Sequence, residues 1–181
     1  MKLKNTEALI KRFRDYVIQQ SRSNLSKSRK NNTKELYNSL KGEIVSENDY
    51  SIVGFNMAEH GMYQDQGVQG KSSSSKAPNS PFKFGSGKGN KTGKGGLTQG
   101  IEKWVKQKGI QFRDKKSGKF VSYKSTAFLI TRSIYQAGLR PSLFFTKPFA
   151  AGKKKYIDGE LGEAFTMDID YIIDYELKKI K

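Results

Sequence analysis

Residues 71–96 are a run of Ser, Lys, Gly, Asn and Pro in which only Phe82 and Phe84 carry a large apolar side chain. An element with a buried face cannot be made from such a stretch, because little in it offsets the entropy of ordering. Any fold must therefore be assembled from the segments on either side. The run is read as a flexible Gly/Ser/Lys-rich loop over 70–96. A loop of that length in a small domain is functional or disordered. A helix and a β-hairpin are expected over 97–123, and the chain of 181 residues is read as a single domain, 1–181, or one domain with a long insertion.

Within the run, Gly85-x-x-x-x-Asn90-Lys91-Thr92 departs by one residue from the phosphate-loop pattern. That motif needs a buried strand before it and a helix after it whose first amides bind phosphate. Here Ser-rich sequence precedes it and Gly-Lys-Gly-Gly follows. Asn90 also replaces the glycine whose backbone approaches the phosphate. No nucleotide or other cofactor is implied.

Charge narrows the choice of partner. Lys and Arg number 34 against 17 Asp and Glu, a formal net charge of +17, which favours polyanions and opposes simple collapse. The imbalance is local: residues 71–124 hold 14 basic and 2 acidic residues, whereas 156–181 hold 7 acidic residues and 3 lysines. Opposite faces of this kind suit head-to-tail or ring assembly. Cysteine is absent, which removes disulfides and thiolate chemistry. No apolar run reaches the length of a membrane span, and the first residues do not read as a signal peptide. The expectation is a soluble protein made in a reducing cytoplasm, with no membrane partner.

Apolar spacing predicts two long amphipathic helices, at 6–26 (Leu9, Phe13, Val17) and at 162–180 (Phe165, Ile169, Ile172, Ile173, Leu177 and Ile180 in one stripe). Between them come a short helical turn near 33–40 and a hairpin about Asn48-Asp49. A shorter central helix carries Ile101, Trp104 and Val105 and stops at Gly109. A second hairpin turns at 114–118, and a further helix is capped by Ser125 and ended by Gly138. The class is α+β: a small antiparallel β-sheet, of four or five short strands, with long N- and C-terminal helices.

Candidate chemistry is sparse. His60 is the one histidine and lacks the partners of a metal or triad site. Asp168, Asp170 and Asp174 lie on a single helix, and are read as a solvated acidic face, because two-metal nucleases converge carboxylates from several elements. Aromatic residues among basic ones (Phe82, Phe84, Trp104, Phe112, Phe120, Tyr123) could stack bases, but at these spacings also serve as core and cross-strand pairs.

The order of the pieces is more informative. A basic amphipathic helix leads into "TKELYNSL", a hairpin ends in "MYQDQGVQG", a long loop follows, and "FFTKPFAAG" opens the closing helix. This resembles the tail-completion or neck proteins of tailed bacteriophages, the head–tail connector family. Thr33, Leu36 and Ser39 match its Thr-Gly-x-Leu-x-x-Ser-like turn, with Lys34 at the glycine. Tyr63, Asp65 and Gly67 match its Tyr…(Asp/Glu)-x-Gly motif, and Pro148 with Phe149 its Pro-Phe motif. Relative to shorter members of the family, residues 70–123 are an insertion. The resemblance implies a virion structural protein without catalysis: a homo-oligomeric ring at the head–tail neck, touching portal, adaptor or tail proteins, with genomic DNA passing through and available for non-specific contact. Tyr63, Asp65 and Gly67 at the loop base, Phe82 and Phe84 as its anchors, and Pro148 and Phe149 at the last helix are then the interface or structural residues. The alternatives are a basic, sequence-independent nucleic-acid-binding protein and, third, a metal-dependent nuclease using Asp170 and Asp174.

Overall fold

The computed structural model describes residues 3–28, 33–47, 50–86 and 96–179. They form two compact units, one of Met1–Gly61 with Leu143–Lys181 and one of Met62–Ser142. The unit that interrupts the other in sequence runs over 62–142; the insertion implied by the family resemblance, 70–123, falls within that range.

The first unit is organised around α1 (Lys4–Lys27), whose buried side is Leu9, Ile10, Phe13, Val17, Ser21 and Leu25. Against it lies a continuous helical run of α6 (Thr146–Gly152), a π-helical segment (Lys153–Glu160) and α7 (Leu161–Lys179). The two run antiparallel, as successive contacts show. Asn24 Nδ2 donates to the Phe144 carbonyl at 3.3 Å, and Gly152 lies close against the rings of Phe13 and Tyr16, where a Cβ would be 3.0–3.2 Å from their carbons. Tyr16 meets Tyr156 edge-on at 5.6 Å, and Arg12 is 3.8 Å from Glu160. Asp168 reaches the start of α1. An i→i+5 segment turns the chain less per residue than an α-helix, so the stripe of α7 is rotated from the position a single regular helix would give it.

The short α2 (Glu35–Ser39) closes one end of the core, where Leu25, Leu36 and Phe144 are buried together. β1 (Lys41–Ser46) and β2 (Ser51–Asn56) pair antiparallel, with Gly42 opposite Phe55, Ile44 opposite Val53 and Val45 opposite Ile52. Alternation puts Gly42, Ile44, Val53 and Phe55 on one face. Gly42 is required there, because a Cβ would lie 2.5 Å from Arg14 Cγ and 2.9 Å from Ile18 Cδ1. Asn48, Asp49 and Ile180 fall outside the described residues.

The α+β class is as expected, but its β component is smaller. Four or five strands were anticipated; the described residues contain one two-stranded sheet and isolated bridges at Val68–Leu139, Gln69–Lys83 and Arg113–Phe120. Glycine-rich segments make single pairings without sustaining a ladder. The 114–118 turn does form, but with a single bridge rather than a hairpin of strands.

The helix α3 (His60–Gln66) carries the chain into the second unit. That unit packs α4 (Leu97–Lys108) on α5 (Tyr123–Ala137), with Val105, Thr126 and Ala127 buried. Gly109 stops α4 in the left-handed region, at φ +64°. The cap of α5 is Ser122, not Ser125: the Ser122 hydroxyl accepts the Ser125 N–H, so the residue expected to cap is the one being capped.

Candidate functional site

Five of the seven singled-out residues meet in the second unit, around a seam of extended backbone at 67–72. On one side, Val68 and Leu139 exchange N–H···O=C bonds of 2.9 and 2.7 Å, and Lys71 N–H donates to the Tyr135 carbonyl. On the other, Gln69 N–H donates to the Phe82 carbonyl at 2.8 Å and Phe84 N–H to the Gln69 carbonyl at 2.9 Å. The rings follow the backbone. Phe82 packs edge-on to Tyr63 with centroids 4.6 Å apart, and Phe84 lies 5.5 Å from Tyr135. Asp65 is buried at 3% exposure.

Glycine permits this seam. Gly67 has φ +73°, and a Cβ there would lie 2.5 Å from the Leu139 carbonyl oxygen and 2.7 Å from Pro141 N. Gly138 has φ +85°, with the Val68 oxygen 2.5 Å from where its Cβ would be. Gly70 abuts the backbone of Gln136 and Ala137. Motif reading found Gly67, but Gly70 and Gly138 carry no local signal for a partner almost seventy residues away.

The seam corrects one expectation. Phe82 and Phe84 are not the sole anchors of 71–86: Ala77 and Ser80 are buried, and Ser80 Oγ donates to the Gly67 carbonyl at 2.8 Å. Gln69 Nε2 donates to the Ser80 carbonyl. Residues 87–95, including Asn90, Lys91 and Thr92, lie outside the described residues.

Pro148 and Phe149 belong to the other unit. Pro148 is buried in α6, while Phe149, 37% exposed, joins a cluster with Phe13, Phe55 and Phe145 at centroid distances of 5.8 to 6.0 Å. The seven residues therefore divide between the two units, five about the seam and two in α6.

The acidic helix departs furthest from expectation. Asp168 is not part of a solvated face. It is 4% exposed and caps α1: Oδ1 accepts from Asn5 N–H and Nδ2, both at 2.9 Å, and Oδ2 accepts from Thr6 N–H at 2.8 Å. Leu3, the residue before α1, has no side chain able to do this. Burial pushes the Asp168 carboxyl up, but the N–H groups of Thr6 and Asn5 outweigh it and hold the group below the usual carboxylate range.

Because Asp168 meets the first turn of α1, the rest of α7 continues beyond it. Residues 169–179 extend for about 16 Å at 1.5 Å per residue. On this extension Tyr171, Ile173, Tyr175 and Leu177 are 59, 50, 42 and 57% exposed. Of the expected stripe, Phe165, Ile173 and Leu177 are exposed while Ile169 and Ile172 are half-buried; the residues buried along α7 are Ala164 and Asp168. Asp170 and Asp174 share one strip of the extension.

Among the described residues no three His, Asp or Glu side chains gather as a metal site, and no helix is long and apolar enough to cross a membrane. His60 is exposed at the start of α3. A groove of about 460 Å³ beside α1 is lined by Asp15, Gln19, Arg22 and Tyr37 among others. Its Arg22 donates to the carbonyls of Tyr37 and Leu40 and lies over the Tyr37 ring, a structural role.

No family model, curated protein or solved structure matches the chain.

Proposed function

We propose that this chain is a structural subunit of the head–tail connector of a tailed bacteriophage, joining further copies of itself into a ring at the neck of the virion. The extension of α7 carries the assembly part of this reading. Large apolar side chains left half-exposed together along a projecting helix are stabilised when something covers them. Four large side chains there, each about half-exposed, would gain on the order of 1 kcal/mol apiece on burial. A second copy is the occupant. Its surface is dominated by lysine and arginine, which complement the Asp170–Asp174 strip, and an element projecting from one subunit onto a different surface of the next makes the heterologous contact that closes rings. The phage neck is supported by the resemblance of the Tyr63–Gly67 and Pro148–Phe149 segments.

Stepwise disassembly of purified particles of the encoding phage, with the chain identified by mass and counted against the portal, tests the assignment. Ring stoichiometry of about six to twelve copies co-fractionating with the neck or tail supports it. Presence in infected cells but absence from particles overturns it.

A further inference from the structure

The net charge is not shared between the two units. Residues 62–142 hold 16 Lys and Arg against 3 Asp and Glu, so this unit carries +13 of the chain's +17. All three acids are already engaged. Asp65 is buried, and Glu102 pairs with Lys106 at 2.8 Å. Asp114 accepts the N–H groups of Lys116 and Ser117 at 3.0 and 2.7 Å. Among the described residues of this unit, Lys106–Glu102 is the one ion pair.

Four of the basic residues fall on the ribbon 110–121. Arg113, Lys115, Lys116 and Lys119 are exposed there, and the backbone beneath them is fixed. Asp114 N–H donates to the Lys119 carbonyl at 2.9 Å and Val121 N–H to the Phe112 carbonyl at 2.8 Å. Gly118 takes the left-handed turn at φ +68°, and Phe112 N–H reaches Thr126 Oγ1 of α5. Next to the ribbon, the exposed Lys124 stands in the first turn of α5, where no acid is present. Lys124 also lies within electrostatic reach of Glu102 on α4.

We propose that this unit binds the phosphate backbone of duplex DNA without reading its sequence, with Arg113, Lys115, Lys116, Lys119 and Lys124 as the contact. Charge arithmetic selects the occupant. The α7 extension of another copy, 169–179, brings three acids and two lysines, a net −1, which cannot neutralise +13. Duplex DNA presents one negative charge per about 1.7 Å of axis. The phenylalanines favour backbone over bases: Phe120 faces the same side as its bridge partner Arg113, whose guanidinium lies 4.6 Å over the ring, while Phe112, one position along, faces the other side. They form no common stacking platform for a single strand.

The test is fluorescence anisotropy of the full chain with a labelled mixed-sequence 30-base-pair duplex between 50 and 200 mM NaCl. Five phosphate contacts give a slope of log K against log salt of about −4.5. A K115Q/K116Q/K119Q variant lowers the magnitude of the slope by about 3 and weakens binding at least tenfold at low salt. A K153Q/K154Q/K155Q variant, with the same change in charge on the other unit, leaves both unchanged. The proposal is overturned if the duplex does not bind, if both triple variants lose affinity equally, or if poly-glutamate binds more tightly than the duplex. Tighter binding to a single strand that is lost in Phe120→Ala also overturns it. None of these readouts depends on ring formation, so it stands or falls separately from the connector assignment.

Discussion

Replacing Asp168 with asparagine keeps the shape of the side chain and removes its charge. The carboxylate accepts two backbone N–H groups and one amide, at 2.8 to 2.9 Å, at the first turn of a 24-residue helix. An asparagine oxygen at the Oδ1 position can keep both Asn5 bonds, but its amide then confronts the Thr6 N–H donor. Helix N-caps contribute about 0.5–2 kcal/mol, and a partly buried charge on the helix dipole up to about 2 kcal/mol. A net loss of about 2 kcal/mol is expected for Asp168→Asn at pH 7, with about 3 kcal/mol for Asp168→Ala, which leaves all three donors unmatched. In a chain of this length that lowers Tm by about 4–8 °C for the asparagine variant, read by far-UV circular dichroism. The pH dependence follows from the lowered carboxyl of Asp168. Its stabilisation is complete above the unfolded-state value of about 3.9 and is lost as pH falls through the lower folded-state value. The gap between wild type and Asp168→Asn should therefore stay constant from pH 8 to 5 and close only in stronger acid. Equal melting at pH 7, or a gap undiminished once the carboxyl is protonated, would refute the capping argument.

Other perturbations separate the two units and the proposed surface. Gly138→Ala, at φ +85° with backbone 2.5 Å from the new methyl group, should cost about 1–3 kcal/mol; Trp104, the only tryptophan, lies in the same unit, so its fluorescence during urea unfolding reports the loss directly. Phe144→Ala empties a site 1% exposed between Leu25 and Leu36, and should cost about 3–5 kcal/mol, measured as a drop in the helix melting temperature. Ile173→Asp with Leu177→Asp, both at exposed positions of α7, should leave the fold intact and abolish incorporation of the chain into particles; unaltered incorporation, scored by mass spectrometry of the particles, would remove the extension from the assembly contact.

Elements set by their own periodicity were legible in the sequence. The α1 helix, the first hairpin with Ile44 and Ile52 on its strands, and the Gly109 stop all depend on residues within a turn or two of each other. What was missed depends on distant partners. The carboxylate of Asp168 is indistinguishable from Asp170 and Asp174 until the far end of the chain presents an uncapped helix to it. Gly70 and Gly138 resemble loop glycines until their backbones are pressed together. The stripe of α7 was identified as apolar, but periodicity records which side chains share a face and not whether anything stands opposite. Of the candidate residues, Tyr63 and Phe82 were found separately by motif and by composition; their contact at 4.6 Å required the fold.

The unit 62–142 begins and ends at one place: Ser142 N–H and Oγ both donate to the Gln64 carbonyl, at 3.1 and 2.7 Å. A chain that departs and returns at hydrogen-bond distance behaves as a removable cassette. The entropy of closing a loop grows only slowly with its length, so a segment of 81 residues can be held closed at its base by a few contacts. The same geometry allows the cassette to be exchanged between related chains, or lengthened in place, while the helices that bracket it keep their packing. A lineage could in this way acquire or discard most of its positive charge in a single recombination event.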